Sequence, residues 1–157
     1  MLDGHKPLLG LGAGARRIAE ALDAPVGRGT QAEAGWQTVS LADDSPFDLP
    51  DDFPALLWHR QVFGLPDDAL PLGGTPTSPV LGFAWDAGRV VGLACHLHHH
   101  QESLTAFLET MPLPQGADAS PRTQSPETIL AEARRLDTLA PLLDRLLSQW
   151  LRTAPDV

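Results

Sequence analysis

The stretch Lys6-Pro-Leu-Leu-Gly-Leu-Gly-Ala-Gly-Ala-Arg-Arg-Ile-Ala-Glu-Ala-Leu22 constrains the fold more than any other part of the chain. Leu8, Leu9 and Leu11 supply a short apolar strand, and Gly10, Gly12 and Gly14 admit backbone conformations and close approaches that side chains forbid. Ile18, Ala19 and Leu22 then recur at helical spacing. A strand, a glycine turn and a helix in this order are where α/β proteins place either a phosphate-binding loop or an exposed nucleophile.

The rest of the chain supplies the elements for such a unit to pack on. Val26 to Leu41, punctuated by Gly27, Gly29 and Gly35, predicts two short strands joined by a turn. Asp43 to Asp52 is acidic and proline-containing and reads as an exposed loop. Strands are expected around Ala55–His59, Val80–Trp85 and Arg89–Leu97, with turns at Gly64-Leu-Pro-Asp-Asp and Asp86-Ala-Gly. Along the last strand, alternation sends Val91, Leu93, Cys95 and Leu97 to one face and Val90, Gly92, Ala94, His96 and His98 to the other. Leu104, Phe107, Leu108 and Met111 have helical spacing, and Ser125-Pro126 reads as an N-cap and first helical position. An apolar stripe from Ile129 to Trp150 predicts a C-terminal helix packed on the sheet, broken or kinked by Pro141 near Ala140.

At 157 residues, 43% hydrophobic and 20% charged, the chain is expected to be one globular domain over residues 1–157. A formal net charge of -9 repels polyanions, which argues against nucleic acid and anionic membrane surfaces as partners. The single cysteine, Cys95, can make no internal disulfide, and there is no long apolar run or signal segment, so a cytoplasmic location is expected.

Four segments, in order, resemble a class I glutamine amidotransferase domain similar to the glutaminase half of GMP synthase, over Lys6 to about Leu151. Pro7-Leu-Leu-Gly-Leu-Gly12-Ala-Gly-Ala-Arg16 stands where the family has its nucleophile turn, Pro-Val-Leu-Gly-Ile-Cys-Leu-Gly-Ala-Gln. Glu33-Ala-Gly-Trp36 matches Glu-x-Gly-Trp, and Trp58-His-Arg-Gln-Val-Phe-Gly-Leu-Pro66 matches Trp-His-Gly-Asp-x-Phe-x-Leu-Pro. Gly92-Leu-Ala-Cys-His96-Leu-His98 stands at the general-base motif Gly-x-Gln-Phe-His-x-Glu. The resemblance implies an α/β fold of flavodoxin-like type, a sheet with flanking helices and a few antiparallel strands.

The departures decide the functional expectation. In the family a cysteine attacks the glutamine amide, a histidine relays the proton and a glutamate orients the histidine. Gly12 occupies the cysteine position and His98 the glutamate position, leaving His96 as a vestigial base. Thioester chemistry at Gly12 is impossible, so a non-catalytic descendant with no cofactor is expected. The chain begins at Met1 just before the nucleophile strand, so it is read as N-terminally truncated, without the family's preceding strands. An uncovered strand edge invites pairing, which predicts a homo-oligomer or a complementary chain.

The same residues offer other chemistry. Cys95 adjoins His96 but should face the opposite side of its strand, as a buried hydrophobe. Gly10-Leu-Gly-Ala-Gly-Ala15 fits the dinucleotide pattern G-x-G-x-x-A, with Glu33 as the acidic partner, although Glu33 does not end an apolar second strand. Ser40, Ser45 and Ser78 lack a nucleophile's turn, and Trp36 and Trp58 read as core. The alternative to a relic is a metal-binding protein or metal-dependent hydrolase using His96, His98 and His100 for Zn²⁺ or Ni²⁺, joined by His59 if its strand lies nearby. On a straight strand those three span about 13 Å, so this reading requires the chain to bend.

Overall fold

A computed structural model describes residues 6–153. Leu8–Leu11 forms β1 and Ala13–Ala21 forms α1, joined through Gly12. β1 lies parallel to β7 (Val90–Leu93), which pairs antiparallel with β6 (Gly82–Trp85); β6 in turn pairs with the two-residue β4 (Leu70–Pro71). The order of this sheet is β1-β7-β6-β4. A second sheet, in the order β3-β2-β5, consists of β2 (Val26–Leu41), β3 (Asp52–Phe63) and β5 (Gly73–Gly74). The result is the expected mixed α/β architecture, with antiparallel pairs outnumbering the parallel one.

Helix and strand meet closely at the first turn. A Cβ on Gly10 would lie 2.5 Å from Ile18 Cδ1 and 2.8 Å from the Gly14 carbonyl carbon, so only glycine lets α1 fold back on β1. Ala15, Ile18 and Ala19 then pack with Phe63, Phe83 and Val90. A larger apolar cluster on the other side joins Phe53, Leu56 and Leu57 of β3 to Leu93, Cys95 and the C-terminal helix. Each of the Leu, Ile, Val and Phe side chains removed from water contributes about 1.5–3 kcal/mol.

Three elements differ from expectation. Val26–Leu41 is one strand, because Gly27 and Gly35 stay paired with Val62 and Leu57 of β3 and only Gly29 falls in the register shift between Arg28 and Glu33. β7 stops at Leu93, not Leu97, because both neighbours stop there: β1 ends at its partner Leu11, and β6 begins at its partner Gly82. The helix α4 (Leu136–Thr153) runs through Pro141, and the break falls earlier, in a tight turn at Ala133–Arg135 after α3 (Pro126–Ala131). Pro141 is exposed, so the Asp137 carbonyl it leaves without an intrahelical donor can turn to water.

Other expectations hold. α2 spans Gln101–Thr110, and Ser125 Oγ accepts from the Thr128 N–H at 3.2 Å as the N-cap of α3, with Pro126 at its first position. Asp86, Ala87 and Gly88 all have positive φ, as a tight hairpin turn demands. Leu136, Leu139 and Leu146 are buried against the sheet. No helix among the described residues is long and apolar enough to cross a membrane.

Candidate functional site

Gly12 is the elbow between β1 and α1, with φ 54° and ψ -118°. Its N–H donates to the Leu93 carbonyl at 2.8 Å, tying the elbow to the end of β7. A Cβ at this position would lie 3.5 Å from His96 Nε2. Two residues 84 positions apart in sequence are thus brought into register by the parallel β1–β7 pair. His96 is itself fixed on β3, where its N–H donates to Leu56 O at 2.8 Å and its carbonyl accepts from Leu56 N–H at 3.3 Å.

The elbow opens on a cavity of about 310 Å³ between α1, β3 and α2, lined by Gly12, Arg16, Trp58, His59, His96 and Phe107 among others. Trp58, expected in the core, packs half-buried against it and also borders this cavity. Its indole N–H donates to Pro112 O at 3.0 Å, and its ring meets Phe107 edge-on at 5.3 Å. Trp36 is core as expected, with Nε1 donating to Ile129 O at 3.1 Å.

The electrostatics of His96 do not suit a relay. Burial first, and then the neighbouring imidazoles of His98, His99 and His59, push it down to about 3, so it stays neutral but is a weak proton acceptor. Its Nδ1, the nitrogen that a triad carboxylate would hold, is buried with no hydrogen-bond partner among the described residues. His98, at the glutamate position, lies beside it, the two rings 5.3 Å apart. Cys95 sits in the opposite apolar cluster, and burial pushes its thiol up to about 12, so it is an inert hydrophobe as expected.

The bend after β7 rearranges the histidines. His99 rather than His100 stands with His96 and His98: one ring nitrogen from each lies within 4.8 Å of the others. His100 is exposed and immediately precedes α2, where its N–H donates to Ser103 Oγ at 3.0 Å. Straight alternation along a strand places His99 on the face opposite His96 and His98. The signal available in the sequence was Ser103, a polar residue positioned to cap a helix starting at Gln101, which ends the strand before the histidines.

His59 borders the cavity but belongs to another network. Glu33 is fully buried, and its Oε1 accepts from Thr75 Oγ1 and Thr77 Oγ1, both at 2.8 Å, and from Arg122 at 3.4 Å. His59 Nε2 lies 3.1 Å from Glu33 Oε2 and 3.0 Å from Ser78 Oγ. Sequence reasoning missed this serine, histidine and glutamate grouping. It is not a relay, because Ser78 and Glu33 share one ring nitrogen where a relay uses opposite ones. Burial alone would raise the Glu33 carboxyl, but the hydrogen bonds from His59, Ser78, Thr77 and Thr75 together outweigh it and bring it down to about 2. Committed to these partners, Glu33 is not placed to hold a ribose, which removes the support for dinucleotide binding at the glycine turn.

No family model and no curated protein matches the sequence. Solved structures do. A glutamine amidotransferase from Thermotoga maritima matches with 27% sequence identity and a TM-score of 0.80, over 95% of this chain and 64% of that one. A glutamine amidotransferase from Methylobacillus flagellatus matches with 21% identity and a TM-score of 0.83, over 96% and 64%. The chain has a class I glutamine amidotransferase-like fold and spans just under two thirds of the length of these two structures.

Proposed function

We propose that this chain is a non-catalytic glutamine amidotransferase-like domain that works by association, with a second copy of itself or with a complementary chain, and not by hydrolysing glutamine. The observation that carries this reading is Gly12: the elbow faces His96 Nε2, 3.5 Å from where a Cβ would stand, yet the attacking position has no side chain. The absent carboxylate at His98 and the depressed basicity of His96 support it. Residues 1–157 are read as one domain, equivalent to the C-terminal portion of a complete amidotransferase domain.

Association has its own support. β1 lies at the end of its sheet, paired only with β7 among the described strands. Since the N–H groups of Leu8 and Gly12 both point to the β7 side, the backbone of Leu9 and Leu11 is directed to the open edge. An open edge of this kind is a template for another strand.

Ammonia release from glutamine tests the first half of the proposal. Untagged protein is expected to release no more than the His96→Ala variant, and release abolished by that substitution would overturn the reading. Native mass tests the second half, where a monodisperse monomer at micromolar concentration counts against association.

A further inference from the structure

Three imidazoles converge where the chain leaves β7 and enters α2, and two of their nitrogens are buried without a hydrogen-bond partner among the described residues. Ser103 Oγ donates to His100 O at 3.1 Å, having no second proton to give. It therefore accepts from the His100 N–H at 3.0 Å and from His99 Nδ1 at 3.2 Å. With the His99 proton on Nδ1, the tautomer that matches this hydroxyl orientation, Nε2 is a bare lone pair. His99 Nε2 and His96 Nδ1 are both buried with no hydrogen-bond partner among the described residues. A buried polar atom without a partner is costly, and two in one cluster call for an explanation.

We propose that His96, His98 and His99 bind one borderline divalent transition-metal ion, Zn²⁺ being the best match, through His96 Nδ1, His99 Nε2 and a ring nitrogen of His98. An all-imidazole donor set without thiolate or carboxylate is the chemistry of Zn²⁺ and its neighbours in the transition series, not of Mg²⁺ or Ca²⁺. The spacing is close to what the ion needs. At a Zn–N distance of about 2.1 Å, two tetrahedral ligands stand about 3.4 Å apart. One ring nitrogen from each of the three histidines lies within 4.8 Å of the others, and His98, exposed to solvent, can close the remainder by rotating its side chain.

The other two ligands are already held. His96 is fixed by its backbone pair with Leu56, and His99 by Ser103, which acts as the outer partner that orients a ligating imidazole. The ion would meet His96 at Nδ1, the nitrogen that an orienting carboxylate holds in a catalytic triad. In this chain, whose residue at that carboxylate position is His98, a cation replaces the carboxylate and cross-links the segment between β7 and α2. The site does not depend on the association reading.

The test is Zn²⁺ titration of untagged, metal-stripped protein, followed by calorimetry and native mass spectrometry, with each variant checked for folding by circular dichroism. One ion per chain is expected. Removing a ligand in His98→Ala or His99→Ala should weaken binding about a hundredfold, whereas His100→Ala should leave it unchanged. His98 is exposed, so its replacement leaves the core intact and keeps the test decisive even if His99→Ala does not fold. No binding by the wild-type chain would overturn the proposal. So would equal weakening by His100→Ala and His98→Ala, which would mean that the histidine run binds as an unstructured tag.

Discussion

A Cβ at position 12 would stand 3.5 Å from His96 Nε2, so a thiol there could meet the imidazole. The double variant Gly12→Cys/His98→Glu supplies both the nucleophile and the carboxylate to hold His96 Nδ1–H, and ammonia release from glutamine is expected to rise above the wild-type level. The backbone at Gly12, φ 54° and ψ -118°, is unfavourable for any side chain, so Gly12→Cys alone should lower stability by about 1–3 kcal/mol in denaturant unfolding. Glu33 carries a second prediction at this scale. Its folded pKa of about 2 lies below the unfolded value, so its contribution is full above pH 5 and is lost as pH falls toward 2. The charged and titratable groups facing it are His59 and Arg122. The stability difference between wild type and Glu33→Gln, roughly 3 kcal/mol at neutral pH, should therefore shrink across that interval. A pH-independent difference would count against the carboxylate network.

Among the elements, those set by local pattern were legible and those set by a partner were not. The Ser125-Pro126 helix start and the Asp86-Ala87-Gly88 turn are local, and both appear where expected. The end of β7 is not local: Leu93 is its last residue because β1 turns away at Gly12 and β6 begins only at Gly82. The histidines that follow therefore leave the alternation of a strand, and the grouping passes from His100 to His99. β2 is one strand and not the expected two for a related reason, since pairing with β3 carries the chain through glycines that alone suggest a turn. At Pro141 a local rule was overridden, because buried Leu139 and Leu146 hold the helix on the sheet on either side of it. Pro141→Ala should restore the missing backbone hydrogen bond and raise the unfolding free energy by about 1 kcal/mol or more. A thermal melt that falls instead would mean that the ring's restriction of the unfolded chain dominates.

For the whole molecule, the open edge of β1 is the feature with consequences beyond the site. If another strand pairs there, the Leu9 and Leu11 amides should exchange slowly with solvent at concentrations where the native mass exceeds one chain, and faster on dilution. Exchange that does not depend on concentration would exclude that edge as the contact. By itself, the order and spacing of four short segments determined the fold type and placed glycine, which has no side chain, at position 12. These follow from residue identity and local order, which need no partner. Only the tertiary structure decided that Gly12 and His96 meet, that Glu33, His59 and Ser78 form a closed network, and that His99 joins His96 and His98. Each of these depends on where a neighbouring strand stops or which carbonyl an amide finds, and that information lies in residues far away along the chain.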